Sequence, residues 1–252
     1  DPSNESPEYT RTELGRVLGS VRNLPGSSAE AIALSLRRLQ RADAALQEVT
    51  EKTWRDQVTL SPFGFVALEL DLFETLPADI GVRILMTAVQ VMRGNGFRIK
   101  LQELEKIFER VKSGDQQTFA TLSGCQFQIR GSQFIVIREP GRRGLPITPL
   151  GEHPKIIWDE RFSVMDLDGG NGGGDDLKLE IRVLGDSGWR QLQPYSISPE
   201  IAKLPAIVRK NLPGVWLEDK LVSAPLVSAE SLGLGIAKDR FEMVFIHVLG
   251  SE

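Results

Sequence analysis

Apolar residues recur with a helical period through the first half of this chain and alternate with a period of two through most of the second. Ser3 and Asn4 can cap a helix over residues 8–24, in which Leu14, Leu18 and Val21 share a face before Pro25 and Gly26 stop it. Ser27 and Glu30 then have the spacing of a capping box, and Ile32, Leu36, Leu39, Leu46 and Val49 form one stripe leading to Trp54. The opposite face carries Arg37, Arg38, Arg41, Asp43, Glu48 and Lys52 and reads as solvated. Short strands are predicted at 57–60 and 65–70. A helix entered at Leu76 and Pro77 turns Ile80, Ile84, Leu85, Ala88 and Met92 inward and ends at Gly94-Asn95-Gly96. Another, over 100–111, places Leu101, Leu104, Ile107 and Phe108 on one side.

From there the period changes. Residues 121–129 and 133–137 alternate around Arg130-Gly131-Ser132, the pattern of a tight hairpin. Further strands are predicted at 156–159, 162–165, 177–184, 215–217, 221–224 and 242–249, with a short helix at 199–204. No fixed-period repeat is visible, which disfavours solenoids and propellers. The expected class is α+β: a mainly helical amino-terminal domain followed by a mixed, strand-rich carboxy-terminal one. The division is placed at 1–116 and 117–252, with the stretch 140–149 as the other place where the chain can part.

Composition narrows the chemistry. With 41% apolar residues in 252 the chain can bury a real core, and no apolar run is long enough to span a membrane. It begins with Asp1 rather than Met and has no basic or apolar leader, which reads as a fragment of a longer cytoplasmic protein. A single cysteine, Cys125, excludes an internal disulfide, and with only His153 and His247 beside it a structural metal site is not expected. The net charge of −4 gives no global attraction to phosphate, so contact with a nucleic acid needs a local patch.

The glycine-rich run at 168–176 is flanked by Asp166, Asp168, Asp175 and Asp176, which repel phosphate, and it reads as a hairpin tip. Its carboxylates suit calcium, but their spacing matches no EF-hand loop. Residues 233–238 lack the third glycine of a dinucleotide fingerprint and read as a turn. Neither histidine has a visible nucleophile partner, so triad chemistry has no support.

The local basic excess is Arg130, Arg138, Arg142 and Arg143 in and after the hairpin, with Arg98, Lys100, Lys106, Arg110 and Lys112 upstream. Arginine forks grip phosphate bidentately, and a sheet edge with basic loops can carry an RNA backbone. The competing reading is scattered surface charge, offset by Glu103, Glu105, Glu109, Asp115 and Glu139.

Several short segments carry a resemblance. They are Asp1-Pro2-Ser3-Asn4 with Tyr9, Arg11 and Leu14; Leu122-Ser123-Gly124-Cys125; Ile137-Arg138-Glu139-Pro140; and Trp158-Asp159-Glu160-Arg161-Phe162. Pro205, Val208-Arg209, Leu212-Pro213-Gly214-Val215-Trp216 and Leu221-Val222-Ser223-Ala224-Pro225 continue the series. In order and kind they resemble the part of tRNA(Ile)-lysidine synthases that follows the catalytic domain. Thr12 stands where that family has asparagine, and Gly15-Arg16 sets the second arginine one place late.

The resemblance implies an ATP-dependent, magnesium-using ligase that adenylates the wobble cytidine of tRNA(Ile) and joins lysine to it. The family's Ser-Gly-Gly-x-Asp-Ser phosphate loop is absent from these residues. The expectation is therefore a fragment that docks tRNA and completes the catalytic cleft, inactive alone and binding neither ATP nor metal itself. A PP-loop domain in cis would supply the nucleotide. Arg11 is the supporting catalytic candidate, and Arg130, Arg138, Arg142 and Arg143 are the candidates for contact with RNA. The alternative is a non-catalytic structural or protein-interaction module using the long amphipathic helix.

Overall fold

Alanine, leucine, arginine and glutamine dominate residues 29–57, and this helix-favouring stretch winds into one helix, α1 (Ala29–Gln57). The structure, a computed structural model, describes residues 29–94, 99–114, 120–151, 154–168, 178–227 and 240–246. The chain divides into two compact units, Asp1–Lys52 and Thr53–Glu252. In the first, the charged face of α1 is exposed as expected, but so are Leu36, Leu39 and Val49 of the apolar stripe, at 55%, 66% and 50%. The helix predicted at 8–24 lies outside the described residues, as do Ser27, Arg11, His153, His247 and most of both glycine-rich runs.

The second unit is built on two cores. The first belongs to a five-stranded antiparallel sheet of order β1-β2-β5-β4-β3. Its strands are β1 (Val58–Ser61), β2 (Phe65–Glu69), β3 (Ala120–Leu122), β4 (Cys125–Arg130) and β5 (Gln133–Arg138). Helices α2 (Leu70–Thr75) and α3 (Ala78–Arg93) pack on it, α4 (Leu101–Lys112) packs on those two, and a chain of aromatic contacts joins α4, α2 and the sheet. Phe73 meets Phe108 and Phe134, and Phe134 meets Phe127, with centroids 5.1–6.0 Å apart. The face predicted inward on α3 is buried throughout; on α4, Leu101 is half exposed while Leu104, Ile107 and Phe108 are buried.

Residues 121–129 were expected as one strand, and the structure folds them into two. Ser123 and Gly124 both take positive φ, 51° and 74°, and the register Leu122↔Cys125 closes a two-residue hairpin between β3 and β4. Alternation survives such a turn, so the pattern alone hid it. The sheet also pairs β2 with β5, Phe65 opposite Ile137. It thus takes strands from both sides of residue 116, while Leu145 and β6 within 140–149 already belong to the second core and its sheet.

The second core fills the space between a three-stranded sheet, β12-β8-β7, and a four-stranded one, β11-β10-β9-β6. These are β6 (Thr148–Pro149), β7 (Lys155–Trp158), β8 (Phe162–Asp166), β9 (Leu179–Val183), β10 (Pro213–Leu217), β11 (Lys220–Ser223) and β12 (Phe241–Phe245). Three short helices, α5 (Gly185–Leu192), α6 (Pro199–Lys203) and α7 (Ala206–Asn211), add Leu192 and Ile201 to a centre of Trp158, Phe162, Ile181 and Trp216. Val208 of α7 instead reaches the back of the first sheet, against Ala67, Ile135 and Ile137. That contact ties the two cores of this unit together.

Candidate nucleic-acid interface

The tight Ser123-Gly124 turn sets Cys125 opposite Arg138 in the β4–β5 ladder and brings the Gly124 carbonyl beside the Arg138 guanidinium. Arg138 Nη1 donates to Gly124 O at 3.1 Å and to Glu139 O at 3.0 Å. Its Nε and Nη2 donate to Oδ2 and Oδ1 of Asp159, both at 3.2 Å, a bidentate fork. Asp159 sits in the turn between β7 and β8, where it and Glu160 take φ of 48° and 56°, which turns its carboxylate inward. Arg161 Nε donates to the same Asp159 Oδ2 at 2.8 Å, and its Nη1 reaches Gly64 O at 3.4 Å. Asn211 at the end of α7 donates through Nδ2 to Arg138 O at 2.8 Å.

Two guanidiniums therefore share one carboxylate in a nearly dry place, with side-chain exposures of 8% for Arg138, 1% for Arg161 and 7% for Asp159. Burial pushes the Arg161 guanidinium down to about 10, against the pull of Asp159. Burial likewise pushes the Cys125 thiol up to about 12, only partly offset by Arg138, Arg161 and Arg93. A thiol so hidden and so weakly acidic is a packing residue, not a nucleophile.

Above this cluster opens a recess of about 460 Å³ lined by Arg93, Gly124, Arg138, Glu139, Arg142 and Arg143, among others. Arg142 and Arg143 are exposed on the loop that follows β5. That loop is pinned by buried Leu145 and by Trp158 Nε1, which donates to Pro146 O at 2.9 Å. Arg93, in the last turn of α3, packs against Gly124 from the other side. Sequence reading missed it, and the only local signal was a cation at a helix carboxy terminus.

Arg138 differs from an open phosphate ligand: it forms the floor of the recess, and four of its donor contacts are already made inside the protein. A strand-end arginine facing the interior is drawn to the buried carboxylate, and composition cannot distinguish it from its exposed neighbours. Arg130 is exposed but lies at the other end of the hairpin, paired with Gln133 while Arg138 pairs with Cys125. Five residues of strand put them about 17 Å apart. The structure thus groups Arg138, Arg142 and Arg143 and leaves Arg130 apart. Of the upstream cations, Lys106 pairs with Glu103 at 2.9 Å and Lys112 bonds Leu76 O at 3.3 Å, both on α4.

No family model matches the chain. The tRNA(Ile)-lysidine synthase of Wolbachia pipientis wMel is 30% identical over 228 residues, which cover 90% of this chain and 50% of that protein. The chain belongs to the tRNA(Ile)-lysidine synthase family. The synthase of Wolbachia sp. subsp. Brugia malayi (strain TRS) is 28% identical over 212 residues, 83% of this chain and 48% of that protein. That of Anaplasma marginale (strain St. Maries) is 25% identical over 165 residues, 65% of this chain and 35% of that protein. The chain spans about half the length of the first two relatives.

Membership in the lysidine synthase family gives the cluster a meaning that its separate pieces lacked. Gly124, Arg138, Asp159 and Arg161 come from three of the segments that carry the resemblance, and Asn211 adjoins a fourth. Segments far apart in sequence meet at one ion-paired point, which fixes the arginine recess above it. Among the described residues no group of three or more His, Cys, Asp or Glu side chains is placed to hold a metal ion. Four arginines outnumber the two carboxylates of the recess, Glu139 and Asp159, and Asp159 is already taken by Arg138 and Arg161, a balance that suits a phosphate better than magnesium. Among the described residues no helix is long and apolar enough to cross a membrane.

Proposed function

We propose that this chain is the carboxy-terminal, tRNA-docking part of a tRNA(Ile)-lysidine synthase, the ligase that adenylates the wobble cytidine of tRNA(Ile) and joins lysine to it. On this reading ATP and magnesium are held by a PP-loop domain elsewhere in the full-length cytoplasmic enzyme, and this part grips the RNA and completes the cleft. The observation that carries the proposal is the concentration of arginines around one recess in a chain whose net charge is −4. Arg142 and Arg143 make the phosphate contacts, Arg138 holds the floor beneath them, and Arg130 makes a separate contact farther along the hairpin. Reading is by shape and phosphate, since A-form stems hide their base edges.

Salt-titrated binding of tRNA(Ile) tests this. Arg142→Ala with Arg143→Ala should weaken binding at least tenfold and reduce the salt slope by about 2, one counterion for each phosphate contact. Arg130→Ala should remove about 1 more from the slope. Unchanged affinity and slope in both variants would remove the recess and the hairpin from the docking surface.

Arg11 is proposed to contact substrate phosphate or the adenylate beside the cleft. A charge-assisted contact is worth about 1.5–3 kcal/mol, or roughly 10- to 150-fold. In the full-length enzyme Arg11→Ala should lose activity by that factor at an unchanged melting temperature. Parent-like turnover in that variant would end the assignment.

A further inference from the structure

Helices α5, α6 and α7 and the turn between α5 and α6 line a second recess, of about 350 Å³, with Trp189, Gln193, Ile197, Arg209 and Lys210 in its wall. The Arg209 guanidinium lies over the Trp189 ring, 5.4 Å from its centroid. Trp189 Nε1 and Arg209 Nε are both buried, and neither finds an acceptor among the described residues. Arg161 Nη2 and Trp216 Nε1 share that state within the core, whereas Trp189 and Arg209 line a recess that an acceptor from outside can enter. Lys210, at the rim, is held by Asp186 at 2.8 Å, an exposed pair that a phosphate can displace.

A third recess, of about 370 Å³, connects this place to the arginines. It shares Pro140 and Gly144 with the arginine recess and Ala206 and Lys210 with the Trp189 recess, and Leu145, Val183 and Ile207 line its middle. The three make one furrow: arginines at one end, an apolar middle, and a lysine leading to a tryptophan stacked on an arginine.

We propose that this furrow takes a short unpaired stretch of RNA, with backbone phosphates on Arg142, Arg143 and Lys210 and one base in the recess beside Trp189 and Arg209. The proposal rests on the tRNA-docking reading and adds single-strand recognition to it. A nucleobase offers what the recess lacks, ring-nitrogen and carbonyl acceptors, together with a flat face for an aromatic and guanidinium wall. A base-paired nucleotide cannot enter, because its edge is engaged and its faces are stacked.

The test compares an RNA hairpin bearing a short single-stranded extension with the same hairpin made blunt, each titrated against the 252-residue chain. The extended RNA should bind about tenfold tighter, as one base–aromatic stack allows. Trp189→Ala should erase that preference and leave the blunt hairpin's affinity as it was, while Arg142→Ala with Arg143→Ala should weaken both RNAs. Trp189 is partly buried, so thermal melting checks its variant, and exposed Lys210→Ala gives a second reading: a reduced preference in a folded chain. Equal binding of the two RNAs by the parent chain, or a preference that survives both variants, overturns the furrow and leaves duplex docking intact. Failure to bind either RNA overturns both.

Discussion

Asp159→Ala will melt about 10 °C or more below the parent chain, the equivalent of roughly 3–5 kcal/mol of stability. The Asp159 carboxylate is the counter-charge shown for both Arg138 and Arg161, and all three side chains are less than a tenth exposed. Its removal strands two guanidiniums in a place from which water is excluded, and desolvation of an unpaired charge outweighs the loss of any single hydrogen bond. Asp159→Asn keeps the shape but not the charge and should recover only a small part of the loss. Arg161→Met removes instead the guanidinium that burial already disfavours and whose Nη2 finds no acceptor among the described residues. It leaves Arg138 and Asp159 as a balanced pair and should be much milder than Asp159→Ala. Urea unfolding of the three variants checks the order. An Asp159→Ala chain within about 1 kcal/mol of the parent would show that the ion-paired point does not hold the turn.

How much of this was legible beforehand depends on the range over which each feature is encoded. The apolar faces of α3 and α4 repeat over several turns, so periodicity located them to within a residue or two. The hairpin at Gly131 and Ser132 was visible because a glycine interrupts the alternation between two strong strands. The Ser123-Gly124 turn was not, since a turn that needs positive φ at two residues leaves the alternating pattern on either side intact. Helices α5 and α7 span eight and six residues, too few to repeat a period, and α5 contains Gly188. The apolar stripe on α1 was legible as a stripe, yet Leu36, Leu39 and Val49 are exposed among the described residues; periodicity shows that a face is apolar, not what covers it.

The site shows the same division. That Arg138, Arg142 and Arg143 lie near one another follows from their numbers, but that one is sealed and two are open depends on a carboxylate 21 positions further on. Trp189 carried no sequence signal and Arg93 only that of a cation ending a helix, because each acquires its role from a neighbour brought in by tertiary packing. The short resembling segments were recognisable one at a time; their meeting at Asp159 is a property of long-range strand pairing, which no local pattern encodes.

Trp158→Ala is the other large expected effect, and it separates holding the fold from placing the arginines. Trp158 is fully buried, its ring 6.1 Å from that of Phe162, and it belongs to the core shared by both sheets of the second half. Truncating a core tryptophan costs about 3–5 kcal/mol through lost transfer energy and the cavity left behind. The indole Nε1 also holds Pro146 O, the fixed end of the loop that bears Arg142 and Arg143. Trp158→Phe fills most of the cavity but breaks that bond, so it should lose only about 1–3 kcal/mol, chiefly from the unsatisfied carbonyl. If the bond positions the loop, the Phe variant will still bind tRNA more weakly than the parent, with the salt slope nearly unchanged because every arginine remains. A Phe variant that binds like the parent would mean that Leu145 and the strand end suffice to place the arginines, and that Trp158 acts on stability alone.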